Sequence, residues 1–420
     1  MSNSLAATSE GRGSRPSPRW VLPLIIVAIA AVVGLAVGRF ATYSDTARVD
    51  LPTVVVPPDD EVLALQADAE ANPQSPRAWQ ELGINATRQA IVTADPAWYA
   101  IAGDAYDRAE ELDPTNDFLT IARGQLTLSL HDFDKALDLG QRATTVLPST
   151  ADGWGVLVDA QVELGMYEEA ADSLQTMLDL RPDLSALARA SYLRQLNGDL
   201  DGAIVAMRQA EVAGGGAFGQ TSIISGLLGD LLLQRGDLDD AEAAYLRAQS
   251  GQAAAGLARI DIARGDLDRA EVILTQVSRQ TPFPAVITAL AEVQTRQGDQ
   301  EGLADTVELG RTIATLQQAN GQTVDLELAL FEASYGDPAR AIELARQAYD
   351  ARPDNVFAAG ALAWSLFKDG QQEQALEFAD QATRLGTVDT AHELRIALIT
   401  GQGLDQLLAR NPLAEELFLP

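Results

Sequence analysis

The chain has 420 residues and 47% hydrophobic content, which suits two or three compact domains or one long repeat array and excludes wholesale disorder. It contains no cysteine, so disulfide bonds, iron–sulfur clusters, cysteine-type zinc sites and thiol nucleophiles are excluded. The formal net charge is −30, from 60 acidic and 30 basic residues. This balance argues against a nucleic-acid partner, because phosphate binding needs clustered Lys and Arg.

The amino-terminal part of the chain has a charged head followed by a long uncharged segment. Residues 20–38 contain no charged side chain. At about 1.5 Å per residue, a helix of this length spans roughly 28 Å, close to the hydrocarbon thickness of a bilayer. We therefore predict a transmembrane helix over residues 20–38, preceded by a disordered tail over residues 1–19. A cleaved signal peptide is the alternative, although its apolar core is normally shorter.

The charges that flank this segment bear on its orientation. Residues 1–19 carry three arginines and one acidic residue, whereas residues 39–50 carry two arginines and two aspartates. Because positively charged flanks stay on the cytoplasmic side, we expect residues 1–19 in the cytoplasm. The rest of the chain would lie on the extracytoplasmic, periplasmic side of the cell membrane, and the Lys-poor composition favours a bacterial source. Residues 39–59 contain three prolines and no helical period, which predicts an extended tether.

A small residue, replaced in one copy by leucine, recurs at regular intervals from about residue 76 to residue 386. Further small or large apolar residues follow it at four and seven positions, and in several copies a proline follows at twelve. The nine copies lie about 34 residues apart on average, a period typical of helical repeat arrays: they are Ala102, Ala136, Ala170, Ala203, Ala241, Ala270, Leu303, Ala341 and Ala375.

A glycine five residues upstream marks most of these copies. It is present in seven of them: Gly165, Gly198, Gly236, Gly265, Gly298, Gly336 and Gly370. Glycine readily takes the left-handed conformation that ends a helix, and an aspartate after it can accept the N–H bonds that start the next helix. In the second unit His131 stands in place of the glycine. Each unit is therefore predicted to be a helix, a tight turn, a second helix and a loop.

The pattern resembles the tetratricopeptide repeat family. The resemblance rests on the 34-residue period, on Trp79-x-x-Leu82-Gly83, on Trp154 at the same place two units later and on the terminal proline. It implies an all-α, right-handed superhelix of about nine helix-turn-helix units, with the domain over residues 60–420 and capping helices at both ends. It also implies that the first helices line a concave groove that binds a protein or peptide partner.

No residues point to catalysis. His131 and His392 lie in different units, about seven units apart, and stacked units cannot bring them together. Nucleophile-elbow, phosphate-loop and zinc motifs are missing from the sequence. We therefore predict that the protein is not an enzyme, with no catalytic residue, no metal ligand and no cofactor.

The candidate partner groove consists of first-helix positions that are spare once helix packing is satisfied. Apolar residues at both ends with acidic residues between them suggest a peptide with basic and aromatic features. The same apolar residues are also typical of packing between neighbouring repeats. The candidate positions are Phe118, Ile121, Asp152, Asp159, Tyr192, Gln195, Asp230, Arg259, Glu292, Phe357, Trp364 and Phe367.

The sequence thus predicts a scaffold or assembly factor that binds its partner at the membrane surface. Two alternatives remain open. Residues 67–83 resemble the start of the periplasmic repeat domain in cytochrome c biogenesis factors, which implies a cofactor-assembly helper. A self-assembling structural protein of the envelope, built as a homo-oligomer through the span and the repeat ends, is the other alternative.

Overall fold

In the computed structural model, residues 52, 54, 59–215, 220–323 and 326–418 are described. These residues form 22 α-helices and no strand. The helices in chain order are α1 Asp60–Ala71, α2 Pro76–Thr93, α3 Ala97–Leu112, α4 Phe118–Ser129, α5 Phe133–Val146, α6 Ala151–Glu163, α7 Tyr167–Leu180, α8 Leu184–Leu196, α9 Leu200–Ala213, α10 Gln220–Arg235, α11 Leu238–Ala248, α12 Gly251–Ala263, α13 Leu267–Ser278, α14 Pro284–Gln297, α15 Gln300–Ala319, α16 Leu326–Tyr335, α17 Pro338–Ala351, α18 Val356–Lys368, α19 Gln372–Ala382, α20 Thr390–Thr400, α21 Leu404–Arg410 and α22 Ala414–Leu417.

The helices pair into nine successive antiparallel units, from α2–α3 as unit 1 to α18–α19 as unit 9. The first helix of each unit also contacts the first helix of the next in most of the array, so the first helices form a continuous inner layer. Helix α1 precedes unit 1, and α20 to α22 follow unit 9. The predicted all-helical array of repeated helix pairs is confirmed.

The turns inside the units follow the predicted chemistry. Six of the seven turn glycines have φ between 76° and 86°, the left-handed region that favours glycine. His131 adopts the same conformation, with φ 59°, at the position that lacks glycine. Gly336 differs: its φ is not positive, and Asp337 and Pro338 after it start α17 directly, with Asp337 Oδ1 accepting from Ala339 N at 2.9 Å.

The core lies between the two helices of each unit and between successive units. Eight of the nine repeated residues are alanines, and all eight are fully buried. They let paired helices approach closely, as does Gly140, where an added Cβ would lie 2.8 Å from the backbone of Leu157. The long interval before Ala341 corresponds to α15, which at 20 residues is the longest helix described.

The array coils back onto itself. The loops that follow units 7, 8 and 9 lie against the turns inside units 2, 3 and 4, so these three contacts join units five apart. The loop that follows the cap helix α21 lies against the turn inside unit 5. The contacts are Thr323 N–H to the Leu130 carbonyl (2.9 Å), Arg352 to Glu163 (2.8 Å), Val388 N–H to the Gln195 carbonyl (3.1 Å) and the Asn411 side-chain amide to the Leu233 carbonyl (3.0 Å). The second half of the chain therefore rests on the first.

The predicted amino-terminal segments over residues 1–19 and 20–38 lie outside the described residues, as does most of residues 39–59. Pro52, Val54 and Asp59 are the described positions of this stretch. Val54 packs against the core of α12 to α14, and Asp59 accepts a hydrogen bond from Gln89 Nε2 at 2.8 Å. No helix in the described part of the chain combines the length and apolarity needed to cross a bilayer.

Candidate functional site

The coiling of the array encloses a cavity of about 590 Å³ on the inner side of the helices. Its main walls are the first helices of units 4 to 9 together with α20, and the turns of units 1 to 3 complete it. Aromatic rings contribute a large part of the surface. They belong to Tyr99, Phe133, Tyr192, Tyr245, Phe283, Phe331, Tyr335, Phe357 and Phe418.

Half of the predicted groove positions line this cavity: Tyr192, Gln195, Asp230, Arg259, Glu292 and Phe357. They come from five different first helices, so the inward-facing positions of successive units meet in one space. Gln195 also stabilises the contact between unit 4 and the loop after unit 9, because its Nε2 donates to the Val388 carbonyl at 3.2 Å. The same Nε2 donates to Gln234 Oε1 at 3.0 Å.

The two apolar candidates on α4 lie elsewhere. Phe118 stands at the first turn of the helix and is 48% exposed. Ile121 is buried in the cluster of α4, α5 and α6. Helix α4 reaches the cavity only at its end, through Leu128 and Ser129. Residues at the start of this helix therefore contribute to an outer surface or to repeat packing.

The two acidic candidates on α6 both form ion pairs with arginines of other segments. Asp152 Oδ1 lies 2.5 Å from Arg181 Nη2. Asp159 is buried and receives both Nε and Nη2 of Arg189, at 2.8 and 2.5 Å. The Asp152 pair joins α6 to the end of α7 within unit 3, whereas the Asp159 pair joins units 3 and 4. Neither carboxylate lines the cavity. The paired charge of Asp159 is thus not available to a basic ligand.

The aromatic candidates near the end of α18 pack within the last unit. The Trp364 and Phe367 rings stack with centroids 5.4 Å apart, and Trp364 is almost fully buried. Trp364 Nε1 donates to Ser334 Oγ at 3.1 Å, and the Lys368 ammonium lies over the indole ring. The structure therefore places both rings in the packing of units 8 and 9, the alternative that the sequence had left open.

Asp230 provides a negative group in the cavity. Its Oδ1 accepts a hydrogen bond from Tyr245 Oη at 2.7 Å. The residue is exposed to the cavity, and desolvation by the surrounding walls raises the pKa of Asp230 to about 6, against the opposing effect of the Tyr245 hydrogen bond. Asp230 therefore changes its charge near neutral pH.

Arg259, Glu292 and Arg296 form a bridge across two inner helices. Glu292 is buried and accepts from Arg259 Nη1 at 2.8 Å through one oxygen and from Arg296 Nη2 at 2.9 Å through the other. Both arginines also donate outward, to backbone carbonyls of Leu417 and Glu415. The carboxylate thus fixes two guanidinium groups so that they face the last described segment of the chain.

Arg395 on α20 has an incompletely satisfied guanidinium. The residue lines the cavity, and its Nε is buried without a hydrogen-bond partner in the described part of the chain. Desolvation lowers the pKa of Arg395, and the nearby charge of Asp389 only partly offsets it. A buried N–H donor without an acceptor costs free energy that a ligand can recover. Arg395 therefore suits an anionic or carbonyl group.

His392 lies one turn before Arg395 and was not among the predicted groove residues. Its ring is buried, meets Phe357 edge to face at 5.2 Å between centroids, and contacts the Ala382 carbonyl through Nε2 at 3.1 Å. This contact needs a proton on Nε2. Within the described residues, no group of His, Asp and Glu is arranged to hold a metal ion.

Sequence reasoning missed the cavity residues on α20 because they face the groove only through the coiling of the array. Arg395 and His392 belong to the capping hairpin after unit 9. The repeat period ends before these two residues, so it does not predict which way their side chains face. Nothing local in the sequence shows which of the early units they contact.

Models of the tetratricopeptide repeat match the chain in four places. One model matches residues 121–185, 187–258 and 327–389, and a second matches residues 232–293. Together these matches cover more than half of the sequence. This chain is a tetratricopeptide repeat protein. Proteins of this kind generally act as protein-interaction scaffolds, and their binding surfaces lie on the concave side of the superhelix.

Several solved structures are similar to this tetratricopeptide repeat protein at low identity. A thermophilic member from Thermus thermophilus is 22% identical over 41% of this chain and 90% of its own, with a TM-score of 0.37. PilW, a type IV pilus biogenesis factor, is 16% identical over 48% of this chain and 92% of its own, with a TM-score of 0.37. A repeat protein from Parabacteroides merdae is 16% identical over 58% and 98%, with a TM-score of 0.40. No curated protein matches the chain.

Proposed function

We propose that this tetratricopeptide repeat protein is a scaffold that binds a peptide segment of a partner protein inside the cavity of its coiled array. The supporting observation is Arg395, whose Nε is a buried donor without an acceptor among the described residues, in a cavity whose lining combines a mainly apolar surface with several polar and charged side chains. A cavity of about 590 Å³ has room for several side chains.

The unsatisfied donor of Arg395 favours a ligand with a carbonyl or acidic group beside apolar side chains. Glu292 is already neutralised by two arginines, and Asp159 by Arg189, so most of the acidic character expected of the groove is internal. Arg395 supplies the donor, and rings such as Tyr192 and Phe357 supply apolar surface. The ligand is thus an aromatic or aliphatic peptide, and the expected basic features are not required.

A glycine in the cavity wall allows a direct test. An added Cβ at Gly226 would meet only the Cβ of Ala248, at 3.8 Å, so Gly226→Leu fills cavity space without a clash at Cβ. Gly103, on α3 and outside the cavity lining, has no atom within 4 Å of an added Cβ. Gly103→Leu is therefore the matched control.

The measurement is co-purification of the full-length protein from its native membrane in mild detergent, followed by mass spectrometry. We expect one set of partners with the wild type and with Gly103→Leu, and its loss with Gly226→Leu. Equal partner recovery with both variants, or recovery of the protein alone, would contradict binding in the cavity.

The proposal also places the scaffold at a membrane, with residues 20–38 as the anchor and the array on the extracytoplasmic side. Its support is the 19-residue stretch without charge and the arginines that precede it. Alkaline carbonate extraction tests the anchor, and protease accessibility in spheroplasts tests the side. Release by carbonate, or protection of the array from external protease, would contradict this part.

A further inference from the structure

The groove already holds a peptide, which is a segment of the chain itself. Residues 411–418, here called the tail segment, pack chiefly against α12 and α20. Ala414 and Leu417 are fully buried, and Leu413 and Phe418 are partly buried on the same side. Glu415 and Glu416 face solvent. The tail segment therefore binds as an amphipathic helical turn through the pattern Leu-Ala-x-x-Leu-Phe.

Three residues hold the carboxyl end of this turn, and we call Arg259, Glu292 and Arg296 the clamp. Arg259 Nη1 donates to the Leu417 carbonyl at 3.0 Å, and Arg296 Nη2 donates to the Glu415 carbonyl at 3.2 Å. The last carbonyls of a helix have no partner within the helix and carry partial negative charge, so two guanidinium groups suit them. The clamp thus recognises a helix end rather than a particular side chain.

The clamp also contacts one side chain of the tail segment, that of Phe418. The guanidinium carbon of Arg259 lies 4.8 Å from the centroid of the Phe418 ring, a cation–π contact. Leu417 enters the core of α10 to α12, where Leu228, Leu257 and Ile260 are its neighbours in one cluster. A ligand therefore needs Leu followed by an aromatic residue at the end of its helix.

The tail segment leaves part of this site unused. Its helix α22 has only four residues, far below the length at which a helix is stable by itself. Arg259 and Phe418 line the same cavity as Arg395, whose buried Nε the tail segment does not satisfy. A longer helix can keep the clamp contacts and extend into the cavity, where it offers further groups to Arg395.

We propose that the clamp is a binding site for the carboxyl end of an amphipathic helix in a partner protein, with the pattern Leu-Ala-x-x-Leu-Phe, and that the tail segment occupies this site until the partner displaces it. The inference rests on the proposed scaffold function and specifies its ligand. Main-chain carbonyls bound by two arginines give affinity, and the Leu and Phe positions give specificity.

The probe is a fluorescein-labelled, Ala/Lys-based helical peptide of 16 residues that ends in Leu-Ala-Glu-Glu-Leu-Phe. Fluorescence anisotropy measures its binding to the full-length protein carrying Leu417→Asp, which releases the tail segment by placing a charge in the core. We expect binding at least about tenfold tighter than to the wild type, where the tail segment competes. A peptide with Asp in place of its last Leu should not bind.

A second substitution in the Leu417→Asp protein tests the clamp. Arg259→Ala should weaken peptide binding by about tenfold or more, because it removes a carbonyl contact and the cation–π contact together. Arg264→Ala, at an arginine that pairs with Asp239 and Glu242 away from the cavity, should leave binding unchanged. Equal affinity for both variants, or no binding by a folded Leu417→Asp protein, would overturn the proposal.

If circular dichroism shows that Leu417→Asp unfolds the protein, hydrogen exchange of the wild type decides the question. Excess peptide should accelerate exchange of the tail-segment amides, and unchanged exchange would overturn the proposal. An Arg259-dependent dimer of the wild type at the same concentrations would assign the site to a second copy and overturn the partner. Loss of partners in Gly226→Leu with clamp variants unaffected would leave the scaffold function standing and the clamp proposal refuted.

Discussion

Arg352 and Glu163, which are 189 residues apart in the chain, form an ion pair with 2.8 Å between Arg352 Nη1 and Glu163 Oε2. Arg352 is only 4% exposed, and its guanidinium also lies over the Phe133 ring at 4.8 Å. The pair joins unit 8 to the turn of unit 3. It is one of the contacts that turn a row of stacked hairpins into a closed coil.

Removal of Arg352 should open this contact. Arg352→Ala leaves the carboxylate of Glu163 in a largely buried position without this counter-charge, so we expect the free energy of unfolding to fall by about 3–5 kcal/mol. Arg77→Ala is the control, since Arg77 pairs with Glu81 on the surface with 76% of its side chain exposed. That change should have little effect on stability, because water screens an exposed ion pair. Urea unfolding followed by circular dichroism measures both, and equal effects would contradict a structural role for the closure.

The turn glycines should be needed for their conformation alone. At Gly265 φ is 81° and an added Cβ would meet no atom within 4 Å, so Gly265→Ala isolates the cost of the left-handed backbone. We expect a loss of about 1–2 kcal/mol in unfolding free energy. The helical Gly103, which is equally free of neighbours, should respond with the opposite sign, and Gly103→Ala should stabilise by about 0.5–1 kcal/mol. Thermal denaturation measures the change in stability of each variant relative to the wild type. A change of the same sign in both variants would contradict this prediction.

Stability should depend on pH through His392. Desolvation lowers the pKa of this buried histidine below its ordinary value of 6.5. As the pH falls through about 6.5, the unfolded chain therefore binds a proton that the folded chain does not, and the contribution of neutral His392 to stability is lost. The unfolding free energy of the wild type should drop relative to that of His392→Gln between pH 7 and pH 5. A difference between the two proteins that stays constant across this range would mean that His392 is not held neutral.

The local features of the fold could be predicted because each depends on residues within one unit. The spacing of Ala136 and Ala170 gives the period, and the glycine before the second gives the turn. Inward-facing positions such as Tyr192 and Asp230 follow from the same register. The assignment of Trp364 to the groove was less secure because an apolar residue at helical spacing suits packing equally well, and the structure buries it between units.

The closure could not be predicted because it accumulates from small rotations between units. An offset of five units brings Arg352 to Glu163, and no local pattern encodes that number. The position of Arg395 could not be predicted for the same reason. This residue faces the cavity only because the coiling brings α20 near units 4 and 5. The cavity is therefore a property of the whole coil, whereas its individual wall positions are properties of single helices.

A distance measurement across the closure tests the central claim, that the array coils back so that units five apart touch. The chain has no cysteine, so Glu168→Cys with Asp354→Cys gives two unique spin-label sites. Both residues are exposed, and Asp354 lies against Gly165 at the start of the turn that precedes Glu168. The pair Asp134→Cys and Glu168→Cys, at equivalent positions of adjacent units, gives the reference spacing. We predict a short, narrow distance between residues 168 and 354 in the full-length protein by electron double resonance. A long or broad distribution for that pair, with the reference pair unchanged, would contradict the closed coil.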